Sequence, residues 1–533
     1  MMKYLLKLSL WIVVLLTLAC GSKNEKTNKE NIKTTVLEKR PNVLIIYPDQ
    51  LRRYSAGFWS EKKYKGHVLG KPDPVITPNM DKLAKNGTVF TNAVSNFPLC
   101  SPARGMFLSG MYPEQNGIWN NCRKDRDESL RDDIPTITDV FYQAGYNTAY
   151  FGKTHWLKND PLFDENGTYM GTTEAPGGHY MNTYDTYIPP GKSRHSIEYW
   201  YQSIRDLHYD PLVYSNDSKA ISGKSDGQLH EPKIFSPKNE AQLIKAYLQN
   251  KNDVRDTNKP FLMMWSINPP HNPWDDGNTD METLQKYYDT DKYPEIDSTL
   301  VVRKNADFNT ANYARHYFAN VTSTDKYIGE VLNELEKMGE LENTLVILSA
   351  DHGEMMGSHA RTGKNAFETE SLGIPLIVHW PNKLKGGQIN DVLFSVTDVL
   401  PTTMALAGLS KSIPETVEGK DFSQLLTNPL ASTIEKPEGV LLLLGNSRGI
   451  LTNRYTLCLR QNKKPWEAKE AKGLEKAYLY DNEKDPYQLH KIKLEQLPEV
   501  SKKLLALMGD ELKRTNDPWY QRKLYSDLII YPN

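Results

Sequence analysis

The chain has 533 residues, long enough for one large domain and a smaller one. It is 39% hydrophobic, 10% aromatic and 25% charged, an ordinary globular composition. A formal net charge of −1 gives no excess of base, so nucleic acid is not suggested as a partner, and four cysteines are too few for a disulfide scaffold.

The first segments in chain order stand outside the expected fold. Lys3 and Lys7 lie in a basic stretch, and Leu8 to Ala19 is an apolar run too short to cross a bilayer comfortably as a permanent helix. It ends at Leu16-Thr17-Leu18-Ala19-Cys20, which resembles a bacterial lipoprotein cleavage box. Residues 1–19 then read as a signal peptide, with Cys20 the lipidated first residue of the mature chain. Residues 20–40 are polar, have little to bury and read as a flexible tether. By the same resemblance Gly21 favours the outer membrane, so the chain is expected to be exported and lipid-anchored there, on its periplasmic or cell-surface face.

Through residues 41–411 short apolar runs alternate with helical patterns. Asn42–Tyr47, Asn147–Gly152, Phe261–Ile267 and Thr344–Ser349 read as buried strands. Pro78–Asn86, Thr136–Ala144 and Tyr313–Met338 read as helices between them. This alternation predicts an α/β fold with a mostly parallel sheet covered on both faces. From residue 412 to 533 the pattern changes. Val440–Leu444, Arg454–Leu459 and Ala477–Tyr480 read as short antiparallel strands, followed by a helix near Glu499–Lys513. That segment is expected to form a smaller α+β subdomain.

The four predicted strands run into polar residues at their C-terminal ends: Asp49-Gln50, then Lys153 and His155, then Pro269-Pro270-His271, then Asp351-His352. In open parallel sheets, ligands bind at the carboxyl ends of the strands, so one topological rule gathers these groups at one rim. Taken singly, an Asp after a strand is more often a turn residue or a cap. The joint placement carries the signal.

The segment Cys100–Gly110 (CSPARGMFLSG) reads as a helix. Ser101 suits the N-cap, Pro102 the first helical position and Gly110 the stop. Cys100 then sits just before a helix N-terminus, where backbone N–H groups and the dipole favour anions. The bland reading is a low-pKa thiol at a helix start. Cys122 and Cys458 are open between a disulfide, a buried pair of thiols and unrelated residues, because sequence separation decides nothing.

At these residues the chain resembles the type I sulfatases of the alkaline-phosphatase superfamily, whose signature is Cys-x-Pro-Ser/Ala-Arg followed by a helix. Further stretches carry the resemblance over nearly the whole mature chain: TPNMDKLA (77–84), FGKTHW (151–156), PPHNPW (269–274), SADHGEMMGSH (349–359), GK (363–364), IPLIVHWP (374–381), TDVLPTTMALAG (397–408) and LYDNEKDPYQL (479–489). The combination is far more specific than any one motif. It implies an alkaline-phosphatase-like catalytic domain over 41–411.

The resemblance also implies the chemistry. Cys100 is oxidised to formylglycine (3-oxoalanine) by a maturase, and Ala103 stands where Ser is commoner. Asp49, Gln50, Asp351, His352 and residue 100 are placed on one divalent cation. The oxygen donors suit calcium, while the histidine leaves room for manganese or another ion. The aldehyde hydrate offers two hydroxyls on one carbon. One attacks sulfur as the ester oxygen leaves; loss of the second hydroxyl's proton re-forms the aldehyde and expels sulfate. Arg104 orients the hydrate, and Lys153 and Lys364 hold sulfate oxygens. His155 takes the second hydroxyl's proton, and His271 protonates the leaving alcohol.

Export and anchoring suggest a sulfated carbohydrate as substrate, an algal polysaccharide such as ulvan or a glycosaminoglycan. The Asp-Gln and Asp-His pairs also resemble those of formylglycine-dependent phosphonate monoesterases, phosphodiesterases and choline sulfatases. A non-catalytic glycan-binding protein is a third reading, disfavoured because every expected position is filled. His359, Arg361 and His379 are expected to pack or face solvent. Residues 179–209 hold His179, Tyr180, Tyr184, Tyr187, Arg194, His195, Tyr199, Trp200, Tyr201, Arg205, His208 and Tyr209, a mixture that fits sulfated sugars and an ordinary surface insertion equally.

Overall fold

The computed structural model describes residues 39–123, 126–158, 186–204, 206–289, 306, 313–428, 435–461 and 474–521. The signal peptide, Cys20, the tether up to residue 38, and His179, Tyr180, Tyr184 and Arg205 lie outside the described residues. Arg40–Asn533 forms one compact unit. Among the described residues no helix is long and apolar enough to cross a membrane.

Nine strands build the main sheet: β1 Asn42–Ile46, β2 Thr88–Val94, β3 Asn147–Lys153, β4 Tyr199–Ile204, β5 Leu212–Ser215, β6 Phe261–Ser266, β7 Thr344–Leu348, β8 Ile377–His379 and β9 Gln388–Ser395. Their order is β5-β4-β3-β6-β1-β7-β8-β2-β9. Neighbours pair in parallel except where β5 meets β4 and where β8 lies between β7 and β2. Every residue of β1, β3, β6 and β7 is buried. Alternate side chains point to opposite faces, so full burial means that both faces are covered, as the uninterrupted apolar runs predict.

Register fixes what emerges at the sheet edge. Ile46 pairs with Trp265 on one side and Leu348 on the other, and Gly152 pairs with Ser266. The four central strands therefore end level with one another, and the residues after them leave the sheet together. Gly152, at φ +102°, is required here: a Cβ would lie 2.0 Å from the Ser266 carbonyl oxygen.

The helices that matter for the site are α1 Pro78–Asn86, α2 Cys100–Ser109, α3 Ile137–Gln143, α4 Ser236–Leu248 and α5 Ala314–Lys337. Helix α5 packs on both α1 and α4, and α2 packs on α3. The α1 N-terminus is capped from across the interface, with the Asn79 and Met80 amides donating to Asp325 of α5. Strands β10 Val440–Leu444, β11 Ser447–Leu451, β12 Tyr455–Gln461 and β13 Leu474–Asp481 form a second, antiparallel sheet in that order. Helix α6, Pro498–Arg514, packs on it. Leu441, Ile450, Leu457 and Leu504 belong to the same hydrophobic core as the main sheet.

The described aromatic residues of segment 179–209, the half-buried Tyr209 apart, are core. Tyr199, Trp200 and Tyr201 lie in β4 and are buried. The Arg194 guanidinium sits 4.7 Å from the Trp200 ring, and Tyr187, His195 and His208 are also buried. The cation–aromatic pairing that suited a sugar is thus satisfied inside the protein. Cys122 and Cys458 form no disulfide; Cys458 packs in β12 against Phe367 and Leu372.

Candidate active site

The level strand ends bring the predicted groups together. Asp49 and Gln50 follow β1, Lys153 ends β3, His271 follows β6, and Asp351 and His352 follow β7. Asp49, Lys153, His155, His271, Asp351 and His352 are all buried. Gln50 at φ +62° and His155 at φ +53° occupy the left-handed region, which costs a non-glycine residue on the order of 1 kcal/mol. At Gln50 this conformation is held by its amide, which donates to Asp351 Oδ1 at 2.9 Å, and by its carbonyl, which accepts from Tyr317 at 2.7 Å.

Helix α2 delivers Cys100 and Arg104 to the same place. It begins two residues earlier than the capping pattern suggests, with Leu99 at the N-cap and Cys100 already helical. Ser101 is therefore not the cap. Its hydroxyl accepts from the Cys122 amide at 3.1 Å, and its own amide donates to Asn121 Oδ1 at 3.1 Å, so it ties the following loop to the helix start. Gly110 does end the helix, at φ +67° with its amide on the Met106 carbonyl.

Arg104, 1% exposed, organises the centre. Its Nη1 donates to the Lys153 carbonyl at 3.0 Å and to Ser266 Oγ at 2.6 Å; its Nη2 donates to Asp49 Oδ2 at 3.0 Å and Asp351 Oδ2 at 3.2 Å. Lys153 Nζ lies 2.8 Å from Asp49 Oδ2 and 2.7 Å from Asp206 Oδ1. Lys364, half-buried, donates to Gln50 Oε1 at 2.8 Å and to His271 Nε2 at 2.9 Å. Cys100 Sγ lies 3.3 Å from His352 Nε2.

The electrostatics follow from burial and neighbours. Burial pushes the Asp49 carboxyl up, but Lys153, His271, Arg104 and His352 together hold it well below the usual range. Asp351 is pushed up, by burial first and then by Asp49. Burial opposes ionisation of the Cys100 thiol, yet Lys364, His352 and Lys153 bring it well below its ordinary value.

Asp49, Cys100, Asp351 and His352 offer ligand atoms that all lie within 4.8 Å of one another, every one buried. Asp49 Oδ1 is buried with no hydrogen-bond partner among the described residues. His352 Nδ1 lies 3.0 Å from the Gly353 carbonyl, which leaves Nε2 facing the carboxylates. Two buried carboxylates, an orphaned oxygen and an oriented imidazole fit a divalent cation.

Two carboxylates in contact with these groups escaped the sequence reading. Asp206 bridges Lys153 and His271, with Oδ1 3.8 Å from His271 Nδ1. It lies two residues beyond β4, so the strand-end rule would have found it had that strand been recognised. Glu354, fully buried, accepts from Gln50 Nε2, the Tyr313 hydroxyl, and the Met356 and Gly363 amides at 3.1 and 2.8 Å. It shapes the loop from Asp351 to Lys364. Of the three residues expected to pack or face solvent, His379 lies 2.9 Å from the Asn86 carbonyl, Arg361 is exposed and donates to the Asn365 carbonyl at 3.0 Å, and His359 is half-buried.

Comparisons with known proteins give the family. Residues 41–409 match the Sulfatase family model. The chain is 38% identical to an endo-4-O-sulfatase of Bacteroides thetaiotaomicron, covering 92% of this chain and 96% of the relative. It is 29% identical to an ulvan-active sulfatase of Formosa agariphila, covering 91% and 85%. A solved structure from work on glycosaminoglycan metabolism by Bacteroides thetaiotaomicron superposes with a TM-score of 0.82 at 38% identity, covering 92% of this chain and all of that one. The chain belongs to the sulfatase family, sulfuric ester hydrolases that generally use a metal ion and a formylglycine.

Proposed function

We propose that this protein removes sulfate from a sulfated carbohydrate, with residue 100, matured to formylglycine, as the nucleophile. The observation that carries this reading is the convergence of Cys100, Arg104, Lys153, His271 and Lys364 on a buried carboxylate pair at one sheet edge. The named activities of the relatives, on 4-O-sulfate and on ulvan, support a sugar sulfate as the substrate class.

Asp49, Asp351, His352, Gln50 and residue 100 would hold the cation, for which calcium is our choice because most donors are oxygens. When bound, the cation supplies Lewis acidity and lowers the pKa of a hydroxyl at residue 100. The chain's own side chains do the remaining work. Lys153 and Lys364 neutralise sulfate oxygens, and Arg104 keeps the two carboxylates from turning away. The proton shared along Lys364 Nζ and His271 Nε2 goes to the leaving alcohol oxygen, which matters because a sugar alkoxide leaves poorly. His155, two residues beyond Lys153, takes the proton released when the aldehyde re-forms.

We further propose that the protein is exported and lipid-anchored to the outer membrane through Cys20, and that a formylglycine-generating maturase acts on it. The Asp-Gln and Asp-His pairs favour one second reading, a phosphonate monoesterase. Parallel assays on an aryl sulfate and the matching aryl phosphonate separate the two. We expect sulfate to be the better substrate; a strong phosphonate preference would overturn the assignment.

A further inference from the structure

Gln50, unlike the carboxylates beside it, has a side chain with two different ends. An amide can hold a cation only through its oxygen, so its orientation decides whether it is a ligand. Gln50 is 1% exposed, and its amide lies between two groups of opposite kind. On one side Glu354, fully buried, accepts from Gln50 Nε2. On the other, Lys364 Nζ donates to Gln50 Oε1 at 2.8 Å. A carboxylate only accepts and an ammonium only donates, so a single orientation of the amide satisfies both neighbours. The reverse would set two acceptors together at Glu354 and two donors together at Lys364.

Glu354 is itself held in place. Its Oε1 accepts from the Tyr313 hydroxyl and from the Met356 and Gly363 amides at 3.1 and 2.8 Å, while Oε2 takes Gln50. Gly363 immediately precedes Lys364. The same carboxylate therefore anchors the backbone from which Lys364 reaches the amide.

We infer that Glu354 is a positioning residue: it turns the Gln50 amide so that the oxygen is the end presented to Lys364 and available to the cation. The inference rests on the cation reading of the site given above. It goes beyond that reading by naming the group that makes Gln50 a ligand. Partners that orient a metal ligand in this way are worth about tenfold to a hundredfold in metal affinity.

The test is a double-mutant cycle, with calcium titrated calorimetrically into the mature, chelator-treated full chain. Glu354→Gln keeps an oxygen for the Tyr313, Met356 and Gly363 donors but turns a donor toward Gln50 Nε2. The Gln50 amide must then flip, which points its nitrogen at Lys364. Calcium affinity should fall by about tenfold to a hundredfold. Adding Gln50→Glu exchanges the two polarities: the new amide donates to the new carboxylate, whose other oxygen faces Lys364. The double variant should bind calcium at least as tightly as wild type. If Glu354 only braced the loop, Gln50→Glu would change the affinity by the same factor in both backgrounds. An unchanged Kd in Glu354→Gln, or equal factors in the two backgrounds, would overturn the inference. Binding stoichiometry reports the folded fraction separately from Kd. Should Glu354→Gln not fold alone, a double variant that folds and binds like wild type upholds the pairing. One that does not fold, or that binds at least about tenfold more weakly, overturns it. Wild type that binds neither calcium nor manganese would overturn the cation reading and the inference with it. The predicted pattern without sulfate release from any sulfated oligosaccharide would uphold the inference and overturn the sulfated-carbohydrate reading alone.

Discussion

Lys153 carries two carboxylates, Asp49 and Asp206, and only one of them was legible in advance. Asp49, Lys153, His271 and Asp351 could be read because each follows an apolar run of strand length. Asp206 could not, because the strand it follows was not recognised, and Glu354 could not, because a carboxylate that orients a neighbour has no spacing rule of its own. Burial pushes the Asp206 carboxyl up, but Lys153 and then His271 bring it down to about 2 from an ordinary 3.8. A depressed carboxyl pKa contributes stability above the ordinary value and loses it as pH falls toward 2, so the contact is intact throughout the neutral range. Removing that charge frees Lys153 and His271 from their shared partner. We expect Asp206→Asn to lower kcat by roughly tenfold to a hundredfold, with a smaller change in KM and an altered acidic limb of the kcat pH profile. An unchanged profile would assign Asp206 to packing alone.

At the scale of elements, the long apolar strands were read correctly because burial on both faces leaves no polar interruption. Strand β8 has only three residues, and β9 is only half buried, so neither shows a strand pattern. Strand β4 was hidden by its aromatics, which suit a core and a sugar site alike. The α4 helix holds this region together through Glu240, which accepts from Trp265 Nε1 at 2.7 Å on β6 and from Ser203 Oγ at 3.2 Å on β4. Burial raises the Glu240 pKa to about 8 from 4.5. Between those values the folded protein keeps a proton that the unfolded chain has lost. Stability from this group is therefore complete below about 4.5, falls as pH rises toward 8, and is level above it. Glu240→Gln keeps both hydrogen bonds without the charge. Thermal melts from pH 6 to 9 should show wild type losing stability relative to the variant, on the order of 1 kcal/mol per pH unit up to about pH 8. Parallel curves for the two proteins would contradict this account.

At the scale of the whole molecule, the antiparallel pattern after residue 440 was legible, but the cleft that the turn at Leu444–Ser447 shares with Leu99 and Trp119 was not, because only tertiary packing brings these segments together. The candidate metal-binding group is likewise assembled from the segment after β1, from α2 and from the segment after β7, which lie far apart in sequence. A cation bound only by the folded state stabilises it by mass action, about 2.7 kcal/mol at a hundredfold excess over Kd. Calcium added to chelator-treated protein should raise Tm by a few degrees, roughly. Asp49→Asn should abolish that shift, and an equal shift in the variant would place the cation elsewhere. The central claim is that residue 100 attacks a sugar sulfate. Its most direct test is sulfate release from defined sulfated oligosaccharides by the mature protein and by Cys100→Ala. The account predicts release by the first and none by the second; release by Cys100→Ala at the wild-type rate would contradict it.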